Sequence, residues 1–142
     1  MAYITQTDLL QRMTLLELTQ LTDDANTGAP DPNVVSGILD EASAKVEGYT
    51  RNKYAMPLQQ SSEIAAIARD IAVYLLFSRR AQPVRDAVRQ RYMDAIQLLT
   101  DISSGRASLD QPASSTPQSV IDGPTVIPHE PIFGECHLEG FV

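Results

Sequence analysis

The stretch SEIAAIARDIAVYLLFSRR, residues 62–80, decides the fold. Ile64, Ile67, Ala68, Ile71 and Leu75 recur at spacings of three and four, which lays one apolar stripe along a helix. Ala65, Ala72, Val73 and Leu76 widen that stripe until little of the girth is polar. A helix apolar nearly all round belongs at the centre of a domain. Ser61 or Ser62 supplies its N-cap, and over this length it is about 28 Å long at the α-helical rise. The expectation is a spine on which other helices pack.

Working outward, the tripeptide Ala81-Gln82-Pro83 is too short for anything but a tight connection, so the next helix lies antiparallel to the spine. Pro83 is placed in its first turn, where a missing N–H costs nothing. Val84, Val88, Tyr92, Ala95, Ile96, Leu99 and Ile102 mark the inner face, and Gly105 is the C-terminal cap. On the N-terminal side, Asp31-Pro32 starts a helix whose face is Val34, Val35, Ile38, Leu39, Ala42, Val46 and Tyr49. It is expected to run to about Tyr54, before Met56-Pro57 forces an extended turn. Residues 7–13 and 14–21 read as two small helices or one kinked one, with Thr7 as the first cap. Thr14 and Glu17 form a capping box for the second. The fold class is all-α: a small bundle of about four helices in residues 1–105. Residues 106–142, which contain five prolines, are assigned to an extended Pro-rich C-terminal arm. Within it, 119–121, 125–127 and 131–133 are candidates for short strands, and Ile127, Ile132, Phe133, Leu138, Phe141 and Val142 favour an arm that docks over a purely solvated tail.

The formal net charge over 142 residues is −7. It is polarised: residues 1–50 hold eight acids and two bases, residues 51–105 five acids and eight bases, and residues 106–142 five acids and one base. A protein that grips DNA through its phosphates needs a basic footprint, and this one repels DNA on balance. One cysteine, Cys136, excludes an internal disulfide, and the start MAYITQTDLLQRM lacks the basic and apolar regions of a signal peptide. No apolar run approaches the ~20 residues of a membrane span. A soluble protein made in a cytoplasm is expected.

Chemistry-bearing patterns are weak. With Asp23 at the first position of a calcium loop, Ala25 falls at the third and Val34 at the twelfth, so the oxygen ligands are missing and an ordinary Asx/Gly turn is the better reading. His129, Cys136 and His137 match no zinc pattern and lack a fourth ligand. The same Cys and His residues have no oxyanion-hole motif beside them, so no enzyme is expected. The glycines are isolated, and no phosphate loop exists. No cofactor or metal is therefore assigned. The most informative polar feature is a basic cluster, Arg79, Arg80, Arg85, Arg89 and Arg91, at the turn between the last two helices. It ranks first as a protein interface, second as a solvated face and third as a DNA contact, because Arg suits interfaces and the chain is rich in acids to meet it. With Ile132, Phe133 and Phe141 of the arm, these arginines are the candidate interface residues.

Several segments carry a family resemblance. The opening Met1-Ala2-Tyr3-Ile4-Thr5-Gln6 followed by Asp8-Leu9 resembles the start of the neck proteins of Mu-like phages and prophages. Leu21-Thr22-Asp23, the segment from Glu47-Gly48-Tyr49 to Tyr54-Ala55-Met56-Pro57-Leu58, and Ile67-Ala68-Arg69-Asp70-Ile71-Ala72 fit in order. So does Val88-Arg89-Gln90-Arg91-Tyr92, continuing through Leu98-Leu99 to Ile102-Ser103-Ser104-Gly105. The likeness spans roughly residues 1–109. It implies a head–tail adaptor of the virion neck: a ring, typically of twelve copies, beneath the portal protein, joined below to a stopper or tail-terminator protein. DNA would pass through the channel without specific binding. It implies no active site. The alternative, from another class, is a helical DNA-binding or packaging accessory protein.

Overall fold

The computed structural model describes residues 2–80 and 83–114. Five helices follow in order: α1 (Gln6–Leu9), α2 (Leu15–Thr22), α3 (Pro32–Thr50), α4 (Ser62–Arg79) and α5 (Asp86–Ser104). The all-α class stands, with the N-terminal segment resolved into two short helices. Helix α4 packs against each of the other four, and α3 also packs against α5. Ile64, Ile67, Ala68, Ile71, Ala72, Val73, Leu76 and Phe77 of α4 are all buried, so the near-continuous apolar girth makes it the spine. Glu63 and Asp70 of α4 and Arg91 and Leu98 of α5 flank one groove between the two helices.

The helix starts follow capping chemistry. Asp31 accepts from the Asn33 amide at 2.8 Å with Pro32 in the first turn, and Ser61 accepts from the Ile64 amide at 3.2 Å. Thr14 and Glu17 form a reciprocal capping box. Three boundaries differ from the sequence reading. The first cap is Thr5, not Thr7: Asp8 accepts from the Thr5 amide at 2.7 Å and from its hydroxyl at 2.8 Å, so the helix opens earlier and ends at Leu9. Helix α3 stops at Thr50, and the chain passes through a turn before Tyr54 leaves it to pair with Ala113. Helix α5 begins at Asp86, not Pro83. Arg85 is extended there, and its guanidinium reaches Glu17 and lies 5.7 Å from the centre of the Phe77 ring. A tertiary contact thus overrides a proline that merely permits an earlier start.

Among the described residues, three polar ones are fully enclosed in the core, Thr22, Ser43 and Thr50. Each donates its hydroxyl to the carbonyl four residues back, at 2.7, 2.8 and 2.9 Å, so none is left unsatisfied. Ser43 also accepts from the Tyr3 amide at 3.0 Å. Tyr3 is itself buried, and its hydroxyl donates to Glu47 at 2.6 Å while accepting from the Leu58 amide at 3.1 Å. Burial, and then the adjoining Glu47 carboxylate, push the phenol up to about 12. The N-terminal segment is thereby tied to α3 and to the loop before α4.

Gly105 closes α5 in the left-handed region at φ 85°, the conformation predicted for a C-terminal cap. The chain then turns back onto the body. Leu109 is buried and its amide donates to the Tyr54 hydroxyl at 2.8 Å. Gln59 and Gln111 exchange two hydrogen bonds, at 2.8 and 2.9 Å. The Ala55 amide bonds the Pro112 carbonyl, and the Ser114 amide bonds the Lys53 carbonyl. Residues 106–114, read from sequence as the root of the arm, lie against the bundle. The strand candidates at 119–121, 125–127 and 131–133 fall outside the described residues.

Candidate functional site

The basic cluster sits where α4 ends and α5 begins, facing α2 and the loop after it. Asp24, in that loop, is the anchor. Its carboxylate accepts from Arg79 at 3.1 Å and through a second, shorter contact, and from Arg80 at 2.7 Å. Arg79 also donates to the Leu21 carbonyl at 3.0 Å and Arg80 to the Asp23 carbonyl at 3.1 Å. These two guanidiniums therefore cap the C-terminal end of α2, where free carbonyls attract cations. Hydrogen bonds from Arg79 and then Arg80 hold the Asp24 carboxyl down at about 2.

Asp23, next to it, folds the loop on itself. It accepts from the amides of Thr27 at 2.9 Å and Gly28 at 2.7 Å, and these bonds lower its pKa. Asn26 and Gly28 take positive φ values of 54° and 80°. The Asx/Gly turn expected from sequence is what forms, and its oxygens are occupied by the chain's own amides.

Arg85 pairs with Glu17 at 2.9 Å. The Glu17 carboxyl is lowered chiefly by the Thr14 amide, with Arg85 contributing after that. The Asp86–Arg89 contact is loose, at 3.8 Å between largely exposed groups, and such a pair contributes only a few tenths of a kcal/mol. Arg91 is exposed and lines the shallow groove between α4 and α5 with Glu63, Asp70 and Asp94. The five predicted arginines thus divide: Arg79, Arg80 and Arg85 pin the α4–α5 turn to α2 and its loop, whereas Arg89 and Arg91 face outward on α5. Ile132, Phe133 and Phe141 lie outside the described residues.

One surface was not singled out from sequence. Leu10 and Leu15 line a depression at the α1–α2 junction together with Arg12, Met13, Thr14 and Glu17. Leu10, Leu15 and Leu16 are all exposed. Tyr74 of α4 and Tyr92 of α5 stack at 4.0 Å between ring centres, and Lys45 donates to the Tyr92 hydroxyl at 3.3 Å. Among the described residues no group of three or more His, Cys, Asp or Glu could hold a metal ion, and no helix is long and apolar enough to cross a membrane.

The arrangement is that of a small helical protein whose ionic side chains bind its own elements together and whose outward features are an apolar corner and two arginines on α5. Residues 3–127 match the protein family described as Bacteriophage Mu, Gp36. The chain is also 32% identical over 110 residues to the Mu-like prophage FluMu protein gp36 of Haemophilus influenzae, covering 75% of this chain and 74% of that protein. The protein belongs to the Bacteriophage Mu Gp36 family, a family of Mu-like phage proteins.

Proposed function

We propose that the protein is a structural head–tail adaptor of a Mu-like tailed phage. Copies form a ring beneath the portal protein, link the capsid vertex to a stopper or tail-terminator protein, and surround the channel through which DNA passes. It acts by packing in the virion neck and has no catalytic role. Family membership directs the reading to a phage protein. The observation that carries the choice between an adaptor and a DNA-binding accessory is the pinned basic turn. Arg79, Arg80 and Arg85 are engaged by Asp24 and Glu17 of the same chain, in a protein of net charge −7. Phosphate binding through those guanidiniums would have to displace pairs already made, which weakens the electrostatic grip a DNA binder needs.

Ring closure lets modest contacts add up, because each bound copy raises the effective concentration of the next interface. Mixing the purified protein with the portal protein of the same phage, viewed by negative-stain microscopy, is expected to show a ring on the portal's lower face. The absence of a ring, together with tight DNA binding that weakens steeply with salt and with charge reversal at Arg89 and Arg91, overturns the adaptor reading in favour of the accessory one.

A further inference from the structure

Residues 109–114 cross the α3–α4 linker and close on one buried side chain, Tyr54. The Leu109 amide donates to the Tyr54 hydroxyl at 2.8 Å, while Ala113 forms an antiparallel bridge with Tyr54 along the backbone. The two ends of this strap are therefore held by the two ends of the same tyrosine. Beside the bridge, the Ala55 amide meets the Pro112 carbonyl at 3.1 Å and the Ser114 amide meets the Lys53 carbonyl at 2.8 Å. Gln59 and Gln111 add their two bonds at the surface.

What holds the strap is slight beside what holds the body. Of residues 109–114 only Leu109 is buried, whereas α4 alone buries eight residues. The strap also has a ready joint. The Arg106 and Ala107 amides both bond the Asp101 carbonyl, and the Arg106 guanidinium bonds the Asp101 carboxylate, so α5 is closed off before the exposed Ser108. Rotation at Ser108 frees the strap without breaking a bond of the helix. Segments with few buried apolar contacts and exposed hydrogen bonds are the ones that open locally in native proteins. We propose that residues 109–114 form a strap that opens and shuts as one unit on a body that stays folded, with Tyr54 coupling its two ends. Shut, it covers the backbone edge from Lys53 to Gln59, which is otherwise free to pair with another extended chain. It also sets where residues 115–142 are anchored: beside Lys53 when shut, at Ala107 when open. The proposal concerns the isolated chain and does not rest on the adaptor reading.

Amide hydrogen exchange of the full-length protein across a series of low urea concentrations tests it. The Ala55, Leu109 and Ser114 amides are expected to share one protection factor, roughly tenfold or more below that of Ile71 and Leu76 in α4. Their protection should depend only weakly on urea, because little surface is exposed, while that of α4 falls steeply. Tyr54→Phe keeps the ring and removes the acceptor at the Leu109 end. It is expected to lower the protection of Ala55 and Ser114, at the other end, about fivefold. Gln111→Ala, a change outside the core, should lower all three strap amides together. Strap amides with the protection and urea dependence of α4 overturn the proposal, since the strap then opens only with the whole domain. So do three unrelated protection factors, or a Tyr54→Phe effect confined to Leu109, since the two ends then open independently.

Discussion

Tyr3→Phe isolates one hydroxyl that joins three parts of the chain. The phenol donates to Glu47 on α3 and accepts from the Leu58 amide in the loop before α4. The ring stays in place in the variant, so no cavity forms and the change reads hydrogen bonding alone. Glu47 is only half-buried and can turn to water. Leu58 cannot, because it is 5% exposed, and its N–H loses its acceptor. An unsatisfied buried donor costs about 1–3 kcal/mol, so a loss near 2 kcal/mol is expected. In urea, where small domains lose about 1–3 kcal/mol per molar, that moves the unfolding midpoint down by about 1 M. The gap also has a pH signature. The folded-state phenol is raised to about 12 from its ordinary 10. A raised pKa means the neutral form is favoured by folding, so the contribution is complete below pH 10 and is lost as pH climbs through 12. Parent and variant should therefore converge between pH 10 and 12. A midpoint in Tyr3→Phe equal to the parent's at pH 7 refutes the argument, as does a gap that stays constant to pH 12.

Ile71→Ala removes a fully enclosed side chain from the centre of α4 and should cost about 3 kcal/mol, read as a fall of roughly 10 °C or more in Tm. Asp24→Asn should flatten the acid side of the stability curve. The Asp24 carboxyl is depressed to about 2, so its contribution is present above about pH 4 and lost as pH falls through 2; thermal melts from pH 2 to 7 check this. Gly105→Ala should destabilise by about 1 kcal/mol through the left-handed φ alone, because the Lys53 ammonium 2.6 Å from the new Cβ is the end of a flexible chain and swings aside. Urea titration of Gly105→Ala beside a Lys53→Ala/Gly105→Ala double variant separates the two effects: equal losses are expected, measured from Lys53→Ala in the second case.

Most of the bundle was legible because its signals are local. The helical period of Ile64 to Leu76, the caps at Asp31, Thr14 and Ser61, and the terminal Gly105 each act within four residues, and each appears where it was read. The Thr5 cap was also legible in principle, since Thr5 and Asp8 have capping-box spacing; the later Thr7 drew the reading away. The end of α3 and the start of α5 were not legible. Tyr54 is diverted by Ala113 and Leu109, more than fifty residues on, and Arg85 by Glu17, almost seventy residues back. The same distance hid the state of the basic cluster. Sequence reveals five arginines together but not that Asp24 gathers two of them, because that pairing exists only once α2 lies against α4. Likewise, Leu9 and Leu10 are alike in pattern, and only the packed structure buries one and exposes the other.

The way residues 109–114 are fastened fixes how the body bears load. Tension applied anywhere beyond Ser114 does not arrive first at Gly105 or the end of α5. It meets the Ser114–Lys53, Pro112–Ala55 and Gln111–Gln59 bonds, and passes into the linker between α3 and α4. Those bonds join two antiparallel segments and stand between a pull at Ser114 and the buried Leu109, so load on the tail root reaches the α3–α4 linker before it reaches α5.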